Sequence, residues 1–161
     1  MGLSSRIHQI SSSNPLCAYR PGVVGELVLN AVVNLFTVRG GDVHVSGMHG
    51  KITANIGANN TTVQLRIIPT AGAQQALSNP SGNLTGLIIN RYLEPTGVLA
   101  GAIVTEAATY GVGIIYMATN PWTLTPGIIN ILVGGATTLT GAIDWYIEYR
   151  PLSPGAEITP L

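Results

Sequence analysis

Twenty glycines and ten prolines interrupt this 161-residue chain, and their spacing excludes an architecture of long helices. Prolines stand at positions 15, 21, 69, 80, 95, 121, 126, 151, 154 and 160. Each proline in a helix interior costs about 3 kcal/mol, and each glycine about 1 kcal/mol, relative to alanine. The segments between the breaks are short and rich in Val, Ile, Thr and Tyr, which fit a pleated, half-buried surface. An all-β chain of many short strands is the expectation.

Individual strands follow from periodicity. Thr61 to Ile68 alternates, with Val63, Leu65 and Ile67 on one face and Thr62, Gln64 and Arg66 on the other. Ile143 to Arg150 alternates too: Ile143, Trp145, Ile147 and Tyr149 oppose Asp144, Tyr146, Glu148 and Arg150. Glu26 to Val38 reads as a long strand bent near its middle. Gly40-Gly41 makes a turn, and Asp42 to Val45 places Val43 and Val45 on one face. Gly47 and Gly50 indicate a bulge before a strand over Lys51 to Ile56. Gly57 to Asn60 is a turn. Ile128 to Val133 is a continuous apolar run, expected to be central. Leu84 to Asn90, Val98 to Val104 and Val112 to Ala118 are further expected strands, and Ala71 to Ser78 is expected to form a helical turn.

About eight to ten short antiparallel strands imply a two-sheet sandwich or barrel, with a jelly roll the preferred form. The expected organisation is one β-sandwich domain over residues 23–150. An extended N-terminal arm over 1–22 and a C-terminal tail over 151–161 flank it.

Charge narrows the partners. Charged residues are 9% of the chain against about a quarter in ordinary soluble domains. Seven cations balance seven anions, and Lys51 is the only lysine. A neutral chain lacks the basic footprint for a phosphate backbone and the polybasic run for an anionic membrane, so neither nucleic acid nor membrane is expected. Low charge with 46% hydrophobic residues leaves little protection against association. Interface cores are depleted in Lys, Glu and Asp and keep Arg, so a homo-oligomer is expected. The stretches 98–118 and 126–143 are marginal for the roughly 20 apolar residues of a spanning helix. Two strands joined by a turn account better for the second.

No motif singles out a catalytic centre. GxxxxGK[ST], GxGxxG and GxSxG do not occur. Tyr110-Gly111-Val112-Gly113 reads as a bulge or close backbone approach. Of His8, His44 and His49, His44 shares a strand face with Asp42, which is half of a metal site at most. His49 points the other way unless a bulge intervenes. Asp144 and Glu148 are roughly 13 Å apart along a strand, beyond the roughly 5–9.5 Å of a glycosidase pair. Ion pairing of Glu148 with Arg150 is the simpler expectation. Cys17 is the lone cysteine, read as a buried thiol. The sequons at Asn60 and Asn83 read as chance. Trp122, Trp145, Tyr146 and Tyr149 could form a sugar platform, but Trp145 and Tyr149 are expected in the core. No catalytic, metal or cofactor residue is therefore assigned, and the chain is expected not to be an enzyme.

The segment Thr140-Gly141-Ala142-Ile143-Asp144-Trp145-Tyr146-Ile147-Glu148-Tyr149-Arg150-Pro151-Leu152-Ser153-Pro154-Gly155-Ala156 resembles the ending of small tailed-bacteriophage virion proteins of the head decoration (cement) type. Phe36 to Val45, with its Gly-Gly turn, and Gly57-Ala58-Asn59-Asn60 before the strand Thr62 to Ile68 are similar as well. The resemblance runs from about residue 22 to 156 and is weaker over 70–125. It implies a non-enzymatic decoration role on the capsid exterior, often as a trimer on the major capsid protein, after synthesis in a bacterial cytoplasm. A tail or fibre-base component and a carbohydrate-binding sandwich are the alternatives.

Overall fold

A computed structural model describes residues 15–95, 103–105 and 122–161. Among the described residues eleven strands form, in chain order: β1 (Leu16–Arg20), β2 (Val32–Arg39), β3 (Val43–Ala54), β4 (Thr61–Pro69), β5 (Gln75–Ala76), β6 (Tyr92–Pro95), β7 (Ile103–Thr105), β8 (Trp122–Leu124), β9 (Gly127–Gly135), β10 (Ala142–Pro151) and β11 (Glu157–Pro160). They build two antiparallel sheets packed face to face, the expected all-β sandwich. Sheet A has the order β1-β10-β3-β6-β7, with β8 also on β3, and sheet B the order β11-β2-β9-β4-β5. Four of the pairings nest: β1 with β10, β2 with β9, β3 with β6, and β4 with β5. The nested pairs fall alternately into the two sheets, β1–β10 and β3–β6 in sheet A, β2–β9 and β4–β5 in sheet B.

Period-2 patterning drives the packing. Val63, Leu65 and Ile67 of β4, Ile129, Ile131 and Val133 of β9, and Ile143, Trp145, Ile147 and Tyr149 of β10 all turn inward and are buried. Burying one such aliphatic side chain stabilises by about 1.5–3 kcal/mol. Trp145, wholly buried, lies over Gly50 of β3, its strand partner. A Cβ at Gly50 would stand 2.8 Å from Ile143 Cγ2 and 3.1 Å from Trp145 Cζ3. Glycine here makes room for the indole. β9 is central in sheet B, as its apolar run implies, although Ile128 and Leu132 turn outward and are half-buried.

The bulge in β3 falls one residue earlier than Gly47. Gly47 pairs with Glu148 and Val45 with Tyr149, so Ser46 is the extra residue. This switches the side-chain parity: Val45 and Met48 both face inward. Gly40-Gly41 forms the expected β2–β3 turn, with Gly40 at φ 74° and packed so closely on Gly155 that a Cβ would strike its carbonyl oxygen.

Several expectations are corrected. Glu26 to Asn30 is not strand: Gly25 and Asn30 take positive φ (92° and 63°), and β2 begins only at Val32. Leu84 to Asn90 is a connection, ending on Asn90 at φ 67°. Ala71 to Ser78 holds no helical turn. Gln75 and Ala76 pair with Ile67 and Arg66, and Leu77 N donates to Leu65 O, because the sheet edge offers partners that a short Gly-containing helix lacks. β1 and β11 lie in the segments expected as arms, yet each is the edge strand of a sheet. Of Val98 to Val104, only 103–104 is described; Val112 to Ala118 lies outside the described residues. Among the described residues no helix is long and apolar enough to cross a membrane.

Candidate functional site

Four connections meet at one end of the sandwich: 21–31, 55–60, 77–91 and 136–141. Thr137 and Thr138 knit them together. Leu29 N donates to Thr137 Oγ1 at 3.0 Å, Thr138 N to Leu27 O at 3.0 Å, and Gly57 N to Thr138 Oγ1 at 3.3 Å. Gly86 N donates to Gly57 O, Ile56 N to Leu87 O, and Ile89 N to Asn55 Oδ1. A buried pair anchors the first connection: Arg20 Nη2 and Glu26 Oε2 are 2.7 Å apart, with only 10% of each side chain exposed. Glu26 also accepts from Val23 N.

This polar scaffold leaves aliphatic side chains outside. Val23, Val24, Val28 and Leu29 project from the first connection, Ile88 and Ile89 from the third, and Leu139 from the fourth, with Leu139 65% exposed. Glu26, already paired, and Arg91 are the only formal charges in the four connections. The exposed surface of these connections is thus aliphatic and nearly free of formal charge.

The outer face of sheet A is different. Tyr19, Tyr146, His49 and Tyr92 form a row across β1, β10, β3 and β6. Ring centroids are 4.8 Å apart for Tyr19–Tyr146, 4.8 Å for Tyr146–His49 and 5.9 Å for His49–Tyr92. Two coplanar rings cannot bring their centroids within roughly 6 Å, which is two ring radii plus a carbon contact of about 3.5 Å. Tyr146 and His49, only 13° from parallel, are therefore stacked with their faces against each other. Such a ladder stabilises cross-strand pairing, and it covers one face each of Tyr146 and His49.

Asp144 ties the ladder to the chain. It accepts from Tyr19 Oη (2.6 Å), Gly22 N (2.8 Å) and Thr53 Oγ1 (3.1 Å). Burial alone would raise its pKa, but these donors and the Lys51 charge outweigh it and hold the carboxyl below its ordinary value. The same hydrogen bond pushes the Tyr19 phenol up to about 12. Burial lowers the His49 pKa, so its imidazole is neutral at pH 7.

The bulge at Ser46 brings His44 and His49 to the same outer face, while Asp42 precedes β3. Among the described residues no three His, Cys, Asp or Glu side chains gather as a metal site. Glu148 and Arg150 do not pair; the ion pairs among the described residues are Arg20–Glu26 and Arg39–Glu157. Cys17, expected to be buried, is exposed, because it faces outward on an edge strand. Desolvation and the nearby Glu148 raise its pKa, which disfavours the thiolate. Trp122, Trp145 and Tyr149 are core residues, and of the four aromatics first considered only Tyr146 faces out. His8 and Gly111 lie outside the described residues. The aliphatic end was missed from sequence because its residues read as strand. Comparison with protein-family models, curated proteins and solved structures finds no match to this chain.

Proposed function

We propose that the protein is a non-enzymatic structural component of a tailed-bacteriophage particle, a decoration protein seated on the outside of the head against the major capsid protein. The observation that carries this reading is the aliphatic, nearly uncharged end built from four connections. It has the composition of a contact surface, and it is held rigid by hydrogen bonds between the connections. Repeated over a lattice, modest contacts of this kind act together through multivalency. The trimer that the resemblance implies would present three such ends at once.

The nested pairing supports reading the winding as a jelly roll, with β1-β10-β3-β6 facing β2-β9-β4-β5. Jelly rolls occur in viral capsid domains but also in lectins and cupins, so the winding is an analogy at fold level. Against the lectin alternative, Trp122, Trp145 and Tyr149 lie in the core, and the outward-facing Tyr146 stacks on His49. The test is the copy number of this chain in purified virions relative to the major capsid protein. A comparable number supports decoration of the head. A handful of copies moves the protein to a tail or fibre base, and absence from particles overturns both virion readings.

A further inference from the structure

The segment Thr61 to Ile68 is chemically suited to pairing with another copy of itself. It is extended, rich in Val, Leu and Ile and free of proline, and its one charge, Arg66, is only 8% exposed. Such a segment is an aggregation hazard wherever its hydrogen-bonding edge lies open. One edge of β4 is taken by β9. On β9, Val133 turns its own groups the other way, accepting from Asn30 N and donating to Ala31 O. Successive residues of an antiparallel ladder bond to opposite sides. Leu132 therefore bonds to its partner Gln64, and Val63 and Leu65 send their main-chain groups away from β9.

Residues 77–84 meet those groups without forming a strand. Leu77 N and Ser78 N donate to Leu65 O at 2.9 and 3.2 Å, Ser81 N to Val63 O at 2.8 Å, and Leu84 N to Thr61 O at 2.8 Å. The acceptors are side chains: Leu65 N donates to Ser78 Oγ at 2.9 Å, and Val63 N to Ser81 Oγ at 3.0 Å. Both serines are buried, and Leu77 and Leu84 anchor the segment in the core. The backbone bends at Leu77, Ser78 and Gly82, and the exposed Asn79-Pro80 bridges the two serines. A true strand would satisfy β4 and then offer an edge of its own. This segment satisfies β4 and offers none, since its backbone is bent and Pro80 has no N–H.

We propose that residues 77–84 are an edge guard, in which the Ser78 and Ser81 hydroxyls take the acceptor places of a missing strand. The guard keeps β4 from being extended by another chain, above all by β4 of a second copy. Edge lysines, a common alternative, are not used here: Lys51 is the only lysine and lies on β3. The opposite edge of sheet B is blocked differently. Leu161 N donates to Leu35 O, so the main chain of Ile158 and Pro160 points outward on β11, and proline supplies no donor there. The inference does not rest on the phage reading, because it concerns a surface closed to association.

The test uses the full chain with Ser78→Ala and Ser81→Ala combined, followed by amide hydrogen exchange and by sedimentation across protein concentration. Val63 and Leu65 amides are expected to be protected in the wild type and to lose protection by on the order of tenfold or more in the variant. Gln64 and Arg66, bonded to β9, are expected to keep theirs. The variant is also expected to associate beyond the wild type, and adding Thr62→Lys, a charge on the opened edge strand, to reverse that association. If the double variant does not fold, Ser81→Ala alone is read in the same way at Val63. Wild-type Val63 and Leu65 amides that exchange as fast as free peptide overturn the proposal. So does a variant with an opened β4 edge that sediments as the wild type does. So does an association that Thr62→Lys leaves unchanged, which means that the copies meet elsewhere.

Discussion

Gly47 and Gly50 lie three residues apart on β3, and adding the same methyl group at each is expected to have opposite effects. Neither takes positive φ, so alanine is conformationally allowed at both. Replacing an interior glycine by alanine recovers about 0.5–1 kcal/mol of backbone entropy. At Gly47 the new Cβ would meet the Glu148 side chain at ordinary contact distances, Oε2 at 3.5 Å and Cβ and Cδ at 3.8 Å, so Gly47→Ala should keep that gain. At Gly50 it would meet Ile143 Cγ2 at 2.8 Å and Trp145 Cζ3 and Cη2 at 3.1 and 3.2 Å. Ile143 and Trp145 are fully buried and cannot swing away. Overpacking of this kind costs about 1–3 kcal/mol. Set against the entropy gain, Gly50→Ala should lose about 1 kcal/mol net, or about 2–4 °C in Tm for a chain of this length. Urea unfolding measures both variants, and an unchanged m-value would show that the folded state stays compact. If Gly50→Ala proves as stable as Gly47→Ala, the interlock of Gly50 with Trp145 is not what holds sheet A against the core.

Other consequences follow from the charged and titrating groups. Glu26→Gln should destabilise by about 3 kcal/mol, because it leaves Arg20 buried without its counter-ion, whereas Glu157→Gln, in an exposed pair, should cost under about 1 kcal/mol; chemical denaturation separates them. Tyr19 should deprotonate near pH 12 in ultraviolet titration of the native protein, and Asp144→Asn should return it toward the ordinary tyrosine value of about 10. The folded pKa exceeds the unfolded one, so the Tyr19 contribution to stability is complete below pH 10 and is lost as the pH rises from 10 to 12. For His49 the folded pKa is depressed, so its contribution is present above pH 6.5 and falls as the pH drops below that value; His49→Phe should flatten this acid limb in unfolding measured across pH. Cys17 should react with a thiol reagent without unfolding, at a rate that rises with pH into the alkaline range, and Glu148→Gln should shift that rise to lower pH.

Strands with one face in the core were legible because burial imposes a period of two. β4 and β10 are read correctly residue by residue, down to the inward set of Trp145 and Tyr149. Elements held by a distant edge were not. β5 is two residues long and exists because β4 offers Arg66 and Ile67 to pair with, which no local pattern reports. β6 ends on Pro95, a residue that sequence reading treats as a break. The place of the Ser46 bulge is likewise set by the register of β10, and only that register tells which way His49 faces.

The misreading of Glu26 to Asn30 bears most directly on function. A run of valines and leucines satisfies a strand template whether its side chains meet a sheet, a core or a partner. In this segment Leu27 alone turns fully inward, while Val28 and Leu29 remain outside. What separates the cases is hydrogen bonding: Leu27 and Leu29 bond to Thr138 and Thr137 across the end of the sandwich, Val28 bonds locally to Glu26 and Ala31, and only Asn30 reaches a strand, at Val133 of β9. A chain under no demand to bind would gain solubility by placing polar residues at those positions, since the threonines already hold the connection. The exposed part of an aliphatic side chain on a loop whose backbone is fixed by other means contributes little to folding. Their concentration at the end where four connections converge, against a sheet A face that carries Lys51, Asp144, Glu148 and Arg150, supports the proposal that the loops and not the sheet make the contact.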